Sequence, residues 1–442
     1  MKIQSIVAGL IVLTIFVLAP SLGFAQISSN ANQIIPTEYS SGGQDNIHIF
    51  CTTRDAVNAS LTATSPTGVG ATYEWLRYNA QTGAFEPYQS DLLGAATSVI
   101  SNLADGAYRV NITAGAEVQT FTAWVFNNYI ETTAAITNSD CNSFTLVGTS
   151  DTPALTYVDL PTGQLRQLDK GVQIRWTTAN NEPVGEFLTY QVFSPPTKDT
   201  EYILTVTDRF GCSSQARVMY ESIVTKASFT YEEVDPKSHP SKTEAPLTVI
   251  FTNTSENGDP NKFQWFIFKD RNVLAQEGQA ANGQPIDSIL TKIFTDSPTY
   301  IFEKPGTYNV KLVSQKESAS GICYDTVYID QFISIDTSFI EAPTFFTPGG
   351  DGANDRYVVR FFSMQSVKLS IFNRWGKVVH VWESDNVRGF GPTVESTPQA
   401  VWDGKVGGKM ATPGVYYYVA EGRGRDDKRQ RANGFFHLFR EK

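Results

Sequence analysis

Charge is scarce in this chain: Asp, Glu, Lys and Arg supply 18 % of its 442 residues, and only four histidines and four cysteines occur. Aromatic residues reach 12 %, and 33 glycines and 21 prolines punctuate the sequence. That balance favours β-structure and argues against coiled coils, helical bundles and disorder. Lys and Arg number 35 against 45 Asp and Glu, a formal charge of −10, the wrong sign for neutralising phosphates, which removes nucleic acid as a principal partner. No His-Glu-x-x-His or Cys-x-x-Cys arrangement, no Gly-x-Ser-x-Gly elbow and no phosphate-binding glycine loop is present, so the patterns that carry zinc, nucleophilic or nucleotide chemistry are missing. His48, His239, His380 and His437 are scattered, and His48 and Cys51, three apart in an extended stretch, point to opposite strand faces. The sequence therefore assigns no catalytic residue, no cofactor and no metal.

Past the N-terminus no apolar run is long enough to span a bilayer as a helix. The one apolar run, Ile6 to Ala19, follows Lys2 and precedes Pro20, Ser21 and the small residues Gly23 and Ala25. It reads as a secretory signal peptide over residues 1–25, cut after Ala25; the alternative, an uncleaved anchor, needs ~20 apolar residues. The remainder is long enough for several domains of roughly 100–150 residues.

An internal repeat organises that remainder. A strand with tyrosine at or near its head recurs at Tyr108, Tyr202, Tyr308 and Tyr416, preceded by Asp-Gly or Pro-Gly in three of the four cases. The spacing, about 100 residues, is that of one immunoglobulin-like sandwich. The expected architecture is all-β: tandem sandwiches over 26–126, 127–226, 227–336 and 337–442, with essentially no helix. Trp75 and Tyr108 are expected in the core of the first. Cys141 and Cys212 fall in one expected module and are expected to pair, closing a long loop; Cys51 and Cys323 lie in different modules and are expected to stay unpaired.

Three stretches resemble known families. Thr205-Val206-Thr207-Asp208-Arg209-Phe210-Gly211-Cys212 resembles the ending of immunoglobulin-like repeats in Bacteroidetes surface proteins. Pro246–Ser255, Trp265–Asp270 and Pro305–Tyr308 resemble a polycystic-kidney-disease (PKD) domain, an extracellular β-sandwich, although Phe266 and extra residues interrupt that family's Trp-Asp-Phe-Gly-Asp. From Ala342 onward the chain resembles the gliding-motility-associated C-terminal domain, the type B sorting domain of type 9 secretion in Bacteroidetes. Phe346, Pro348, Asp351, Gly352, Asn354 and Asp355 carry its opening, with Gly349 where the family prefers Asn. Asn373-Arg374-Trp375-Gly376, Trp402-Asp403-Gly404, Gly414 with Tyr416, and Phe436 with Leu438 follow in order.

The resemblance implies a C-terminal sandwich that directs the chain through an outer-membrane translocon or associated barrel protein, with these residues forming the sorting or docking motif. Asp351, Asn354 and Asp355 could also supply oxygens to Ca²⁺, against the simpler reading of a hydrogen-bonded turn. Arg423, Arg425, Lys428, Arg429 and Arg431 read as a solvated hairpin tip, or else as a contact for an acidic partner or lipopolysaccharide. Trp375 and Trp382 read as core residues before they read as sugar platforms. The last strand, ending near Arg440, is expected as an edge or closing strand available to a recognition partner. The expected function is a non-enzymatic exported protein at the outer membrane or cell surface, serving adhesion or scaffolding, with a surface polysaccharide or lipopolysaccharide as a further candidate partner. The alternative is a resident accessory subunit of the secretion or gliding apparatus. An enzyme has no support in the residues.

Overall fold

The structure is a computed structural model that describes residues 27–66, 68, 70–234, 242–387 and 400–440. The expected signal peptide, His239, most of the connection between Asp385 and Ala400, and the terminal Glu441 and Lys442 lie outside the described residues. Strands dominate, and the architecture is that of tandem all-β sandwiches.

Alternation explains the strands. In Ala71–Asn79 the side chains of Ala71, Tyr73 and Trp75 are buried while Thr72 and Glu74 are not; Tyr202, Leu204 and Val206 in Thr200–Thr207 and Val367, Leu369 and Ile371 in Met364–Phe372 repeat the pattern. Period two sends every second residue to the core. One fully buried tryptophan anchors each quarter of the chain: Trp75, Trp176, Trp265 and Trp402. Each indole N–H finds an acceptor, respectively Ser98 Oγ at 3.1 Å, Phe187 O at 3.0 Å, Thr295 O at 3.0 Å and Lys405 O at 2.9 Å, so burial leaves no donor unsatisfied.

The repeated tyrosines have a shared job. Tyr108, Tyr308 and Tyr416 each donate their phenol to the carbonyl four residues upstream, Ala104, Lys304 and Thr412, at 2.8–3.0 Å. This ties the turn to the strand that follows it, as a tyrosine corner does. Burial pushes the phenols of Tyr108 and Tyr308 up to about 12, so they remain donors at any physiological pH.

The expected absence of helix needs one correction. Arg271–Ala280 is an α-helix, capped by Asp270, whose carboxylate accepts from the backbone N–H groups of Asn272 and Val273. It follows directly on the PKD-like stretch Trp265–Asp270, and a capped start of this kind is what an Asp at N-cap provides.

The chain divides into two compact units. The first gathers residues through Thr137 with Thr145–Gln191 and Glu201–Met219. A six-stranded sheet runs Gln33–Pro36, Asn46–Cys51, Glu117–Asn128, Gly106–Ala114, Ala71–Asn79, Ala84–Ala95, and it faces a three-stranded sheet built on Ala59–Thr64 across a core of Leu61, Tyr73, Trp75, Ile100, Tyr108 and Val110. A second core in the same unit joins Ile47, Ile49, Trp124 and Phe126 to Leu155, Tyr157, Leu168 and Phe210.

The second unit gathers Asn138–Phe144, Val192–Thr200 and everything from Tyr220 on. Its first sandwich packs Val249, Phe251, Trp265, Ile267, Phe302, Val310 and Leu312. Its last sandwich is built on a five-stranded sheet in the order Phe345–Phe346, Arg429–Leu438, Gly414–Gly424, Met364–Phe372, Val378–Ser384.

The cysteine pairing expected from the sequence is wrong. Cys51 is bonded to Cys212 and Cys141 to Cys323, with Cα–Cα distances of 5.2 and 5.5 Å; Cys141 does not pair with Cys212, and neither Cys51 nor Cys323 is a free thiol. The expectation assumed self-contained modules. Cys51 instead ends a strand of the first sheet beside the turn that carries Cys212, and Asn142 hydrogen-bonds Ser194 within the second unit, next to Cys141.

Peptide mapping without reduction will recover these two links and no Cys141–Cys212 peptide. They close loops of 161 and 182 residues, so breaking either by a paired Cys→Ser substitution is expected to cost about 5 kcal/mol on the chain-entropy relation, read as a lowered denaturant midpoint.

Candidate functional site

The motif residues of the C-terminal sandwich fall into a buried set and an exposed set. Phe346, Tyr416, Phe436 and Trp402 converge with Tyr357 in one aromatic cluster: Tyr357 stacks on Phe436 at 3.9 Å, Trp402 lies 5.4 Å from Tyr416 and 5.7 Å from Phe346. Leu438 completes this core. Tyr357 was not singled out by the sequence reading; its signal was the alternation of Tyr357, Val359 and Phe361, all buried. Burial holds its phenol well above the ordinary tyrosine value, and the hydroxyl donates to Pro343 O at 3.1 Å.

Around that core the motif turns are tied by their own polar groups. Asp355 organises the first: its Oδ1 accepts from Gly349 N at 2.8 Å and from Gly350 N, and its Oδ2 from Gly352 N at 2.7 Å. These N–H groups, Gly350 and Gly352 foremost, hold the Asp355 carboxyl below the usual carboxylate range. Asp351 Oδ1 accepts from Ala353 N, and Asn354 takes φ +52°, which an Asn tolerates. The hydrogen-bonded-turn reading thus accounts for both acidic residues.

Gly404 shows why Trp-Asp-Gly ends in glycine. Its φ is +80°, and a Cβ there would stand 2.9 Å from Pro348 Cγ and 3.1 Å from Phe346 Cε1. The backbone must approach the Phe-Thr-Pro segment that closely for the two motifs to pack. Asp403 Oδ1 accepts from Lys405 N, closing the adjoining turn.

Asn373–Gly376 forms a hairpin tip. Asn373 Oδ1 accepts from Trp375 N at 3.1 Å and Lys377 N at 3.0 Å, and Gly376 takes φ +77°. Trp375 is 73 % exposed, with the Arg374 guanidinium 4.2 Å above its ring, so the core reading fails for it. Trp382 is half-buried against Phe361. Register places this tip near the other motifs: Phe372 pairs with Tyr417, which pairs with Phe435, while Phe346 pairs with Leu438. All the motif turns therefore sit toward one end of the sheet, and Gly414 opens its strand there.

The last strand lies at the margin of its sheet and is closed over only at its end. Arg429–Leu438 pairs antiparallel with Gly414–Gly424 along its length, and on the other side only His437 and Leu438 pair, parallel, with Phe345–Phe346. The strand also offers a face. Phe436 and Leu438 point inward, and Phe435, His437 and Phe439 point outward, with His437 stacked 5.6 Å from Phe439 and Phe435 5.8 Å from His437. Phe435 and Phe439 are 55 % and 54 % exposed, and Phe345 and Tyr417 extend the stripe on neighbouring strands. A shallow depression lined by Pro348, Asp351, Asp403, Phe439 and Arg440 adjoins it.

Arg423, Lys428, Arg429 and Arg431 of the basic cluster are exposed, as a solvated hairpin tip requires, while Arg425 is drawn inward. Arg425 is largely buried and reaches Glu303 at 3.3 Å, Lys304 and Arg423 both hold Asp427 at 3.0 Å, and Asp426 accepts from Ser338 Oγ at 2.6 Å. These charges satisfy one another inside the unit.

Comparison with known proteins adds one family. Residues 340–438 match the family model of the CHU_C type IX secretion signal domain, so the chain carries that signal domain at its C-terminal end. Among solved structures it is similar to a tetra-tandem repeat in the extending region of a large adhesion protein (15 % identity, 87 % of this chain and 98 % of that one, TM-score 0.26). It is also similar to three immunoglobulin domains of titin (10 %, 70 % and 98 %, TM-score 0.30) and to the three N-terminal domains of the bacteriophage RB49 highly immunogenic outer capsid protein (12 %, 70 % and 98 %, TM-score 0.25). No curated protein matches the chain.

Two outcomes test the geometry. Gly404→Ala is expected to destabilise by about 2 kcal/mol or more, from positive-φ strain plus overlap with Pro348, seen as a lower melting temperature. Because the Asp355 pKa is depressed on folding, its contribution is full above the ordinary carboxylate pKa of about 4 and disappears as pH falls through the lower folded value. Melting temperatures followed from pH 5 down to about 2 should therefore fall more steeply in the wild type than in Asp355→Ala.

Proposed function

We propose that this chain is a non-enzymatic surface protein that type IX secretion carries across the outer membrane, its sandwich modules serving adhesion or scaffolding. The signal-domain match over residues 340–438, whose motif turns gather at one end of one sandwich, carries this reading. A translocon or associated barrel protein is the partner for the outward face around Phe435 and Phe439, because an exposed aromatic stripe beside polar turns suits a protein contact. Trp375 with Arg374 is the place where a surface polysaccharide or lipopolysaccharide would stack. A resident subunit of the apparatus would use the same domain without release, and fractionation separates the two: cargo is trimmed or released, a subunit co-purifies full-length with an outer-membrane barrel.

The test contrasts the two faces of one strand. Phe436→Ala empties the core and is expected to cost 3–5 kcal/mol, so its loss of export reports folding. Phe435→Ala with Phe439→Ala should leave the melting temperature within about a degree or two, since surface changes stay near ±0.5 kcal/mol, while the chain accumulates in the periplasm. Unchanged export of that double variant would move recognition to the Asp351–Asp355 turn. Failure of residues 337–442 to export a fused foreign passenger would overturn the secretion reading itself.

A further inference from the structure

Three chemically complementary side chains meet inside the first unit, where hydrophobic burial is otherwise the rule. Asn128 ends the strand Glu117–Asn128 and is fully buried; Lys170, in the loop after Gln164–Gln167, is 9 % exposed; Asp208, in the turn after Thr200–Thr207, is 7 % exposed. Lys170 Nζ lies 2.5 Å from Asn128 Oδ1, and Asn128 Nδ2 lies 2.6 Å from Asp208 Oδ2. Thr152 Oγ1 and the Pro153 carbonyl, at 3.1 Å, accept the remaining Nζ protons and aim the amine. Asp208 is itself fixed, its Oδ1 accepting from Phe210 N and Cys212 N at 2.9 and 3.0 Å.

From this arrangement we infer that Lys170 and Asn128 join in an intramolecular isopeptide bond, with Asp208 as the proton-transfer group. Nζ lies against the oxygen of the carbonyl whose carbon it would attack, and the carboxyl touches the nitrogen that would leave, so a small shift of the lysine brings the reacting groups together. Burial lowers the Lys170 pKa, against the opposing charge of Asp208, and so favours the free amine that attack needs.

The step balances without any co-reactant. The Lys170 ammonium gives one proton to the Asp208 carboxylate, leaving an amine and an acid. The Nζ lone pair attacks Asn128 Cγ, forming the C–N bond and moving the carbonyl π pair onto Oδ1. Asp208 protonates Nδ2 and takes a proton from Nζ; the carbonyl re-forms, the Cγ–Nδ2 bond breaks, and ammonia departs, carrying the remaining proton as ammonium. No oxidation state changes.

The product would tie the end of a strand of the first sheet to the loop beyond Gln167, beside the Cys51–Cys212 bond, whose Cys212 Sγ lies 3.1 Å from Asn128 Nδ2. Unlike the disulfide, it would survive reduction.

Peptide mapping of the purified, reduced full-length protein decides the matter. The bond removes one ammonia, about 17 Da, but a mature chain beginning at Gln26 loses the same mass on cyclising, so total mass alone does not suffice. The expected result is a branched tryptic peptide joining the segment with Asn128 to the segment with Lys170, uncut at that lysine. Separate linear peptides in the wild type, with cleavage after Lys170, overturn the proposal. In Asp208→Ala, or Asp208→Asn should the first variant fold poorly, the branched peptide should vanish; its persistence in a folded variant overturns the role given to Asp208.

Discussion

Burial of apolar surface around Trp124 is the constraint on which the first unit depends. Trp124 and Phe126, late on the strand Glu117–Asn128, share a core with Ile47 and Ile49 on one side and Leu155, Tyr157, Leu168 and Phe210 on the other. Each of these large side chains contributes roughly 1.5–3 kcal/mol by leaving water, and none can do so without the partners from the other stretch of chain. Polar groups seal the rim: Trp124 Nε1 donates to Tyr39 OH at 2.7 Å, Glu38 N to Tyr157 OH at 2.9 Å, and Asp159 takes Ser40 and Arg166. An apolar interface of this kind, with hydrogen bonds at its margin, suppresses the hinge motion that is the default between neighbouring domains.

That shared core also explains the cysteines. A sequence parsed into equal modules assigns each cysteine to its own module and pairs within it. Once Phe210 joins Phe126 in that core, the turn Asp208–Cys212 is carried to the end of Asn46–Cys51, and Cys51 becomes the partner of Cys212. Spacing along the chain held no record of this. The residues that did, Phe210 and Trp124, read in the sequence as ordinary strand hydrophobics.

Much of the rest was legible. Alternation located the strands because a half-buried strand has no other way to satisfy two solvents, and the tyrosine repeat marked real corners because Tyr108, Tyr308 and Tyr416 each need a carbonyl four residues back. The helix Arg271–Ala280 was not legible, since its residues carry no buried face and amphipathic periodicity is the main helical signal. The exposed position of Trp375 was hidden for a related reason: aromatic content predicts burial on average, and only the Asn373 turn, with Gly376 at positive φ, reveals that the tryptophan sits on a hairpin tip.

The C-terminal sandwich divides one motif between core and surface. Phe346, Trp402, Tyr416 and Phe436 are spent entirely on the core, and Asp355 and Gly404 on the turns that let those rings meet. Such residues bear on any partner only by holding the frame. The groups left to a partner are those that alternate with them, Phe435, His437 and Phe439 opposite Phe436 and Leu438, together with Trp375 beyond Asn373. Because strand pleating couples the two sets residue by residue, a one-residue slip in the last strand would bury the outward set and expose the core at once. The parallel pairing of Phe345–Phe346 with His437–Leu438 pins that register at the strand's end, so the chain's final strand is held by the same segment that opens the motif.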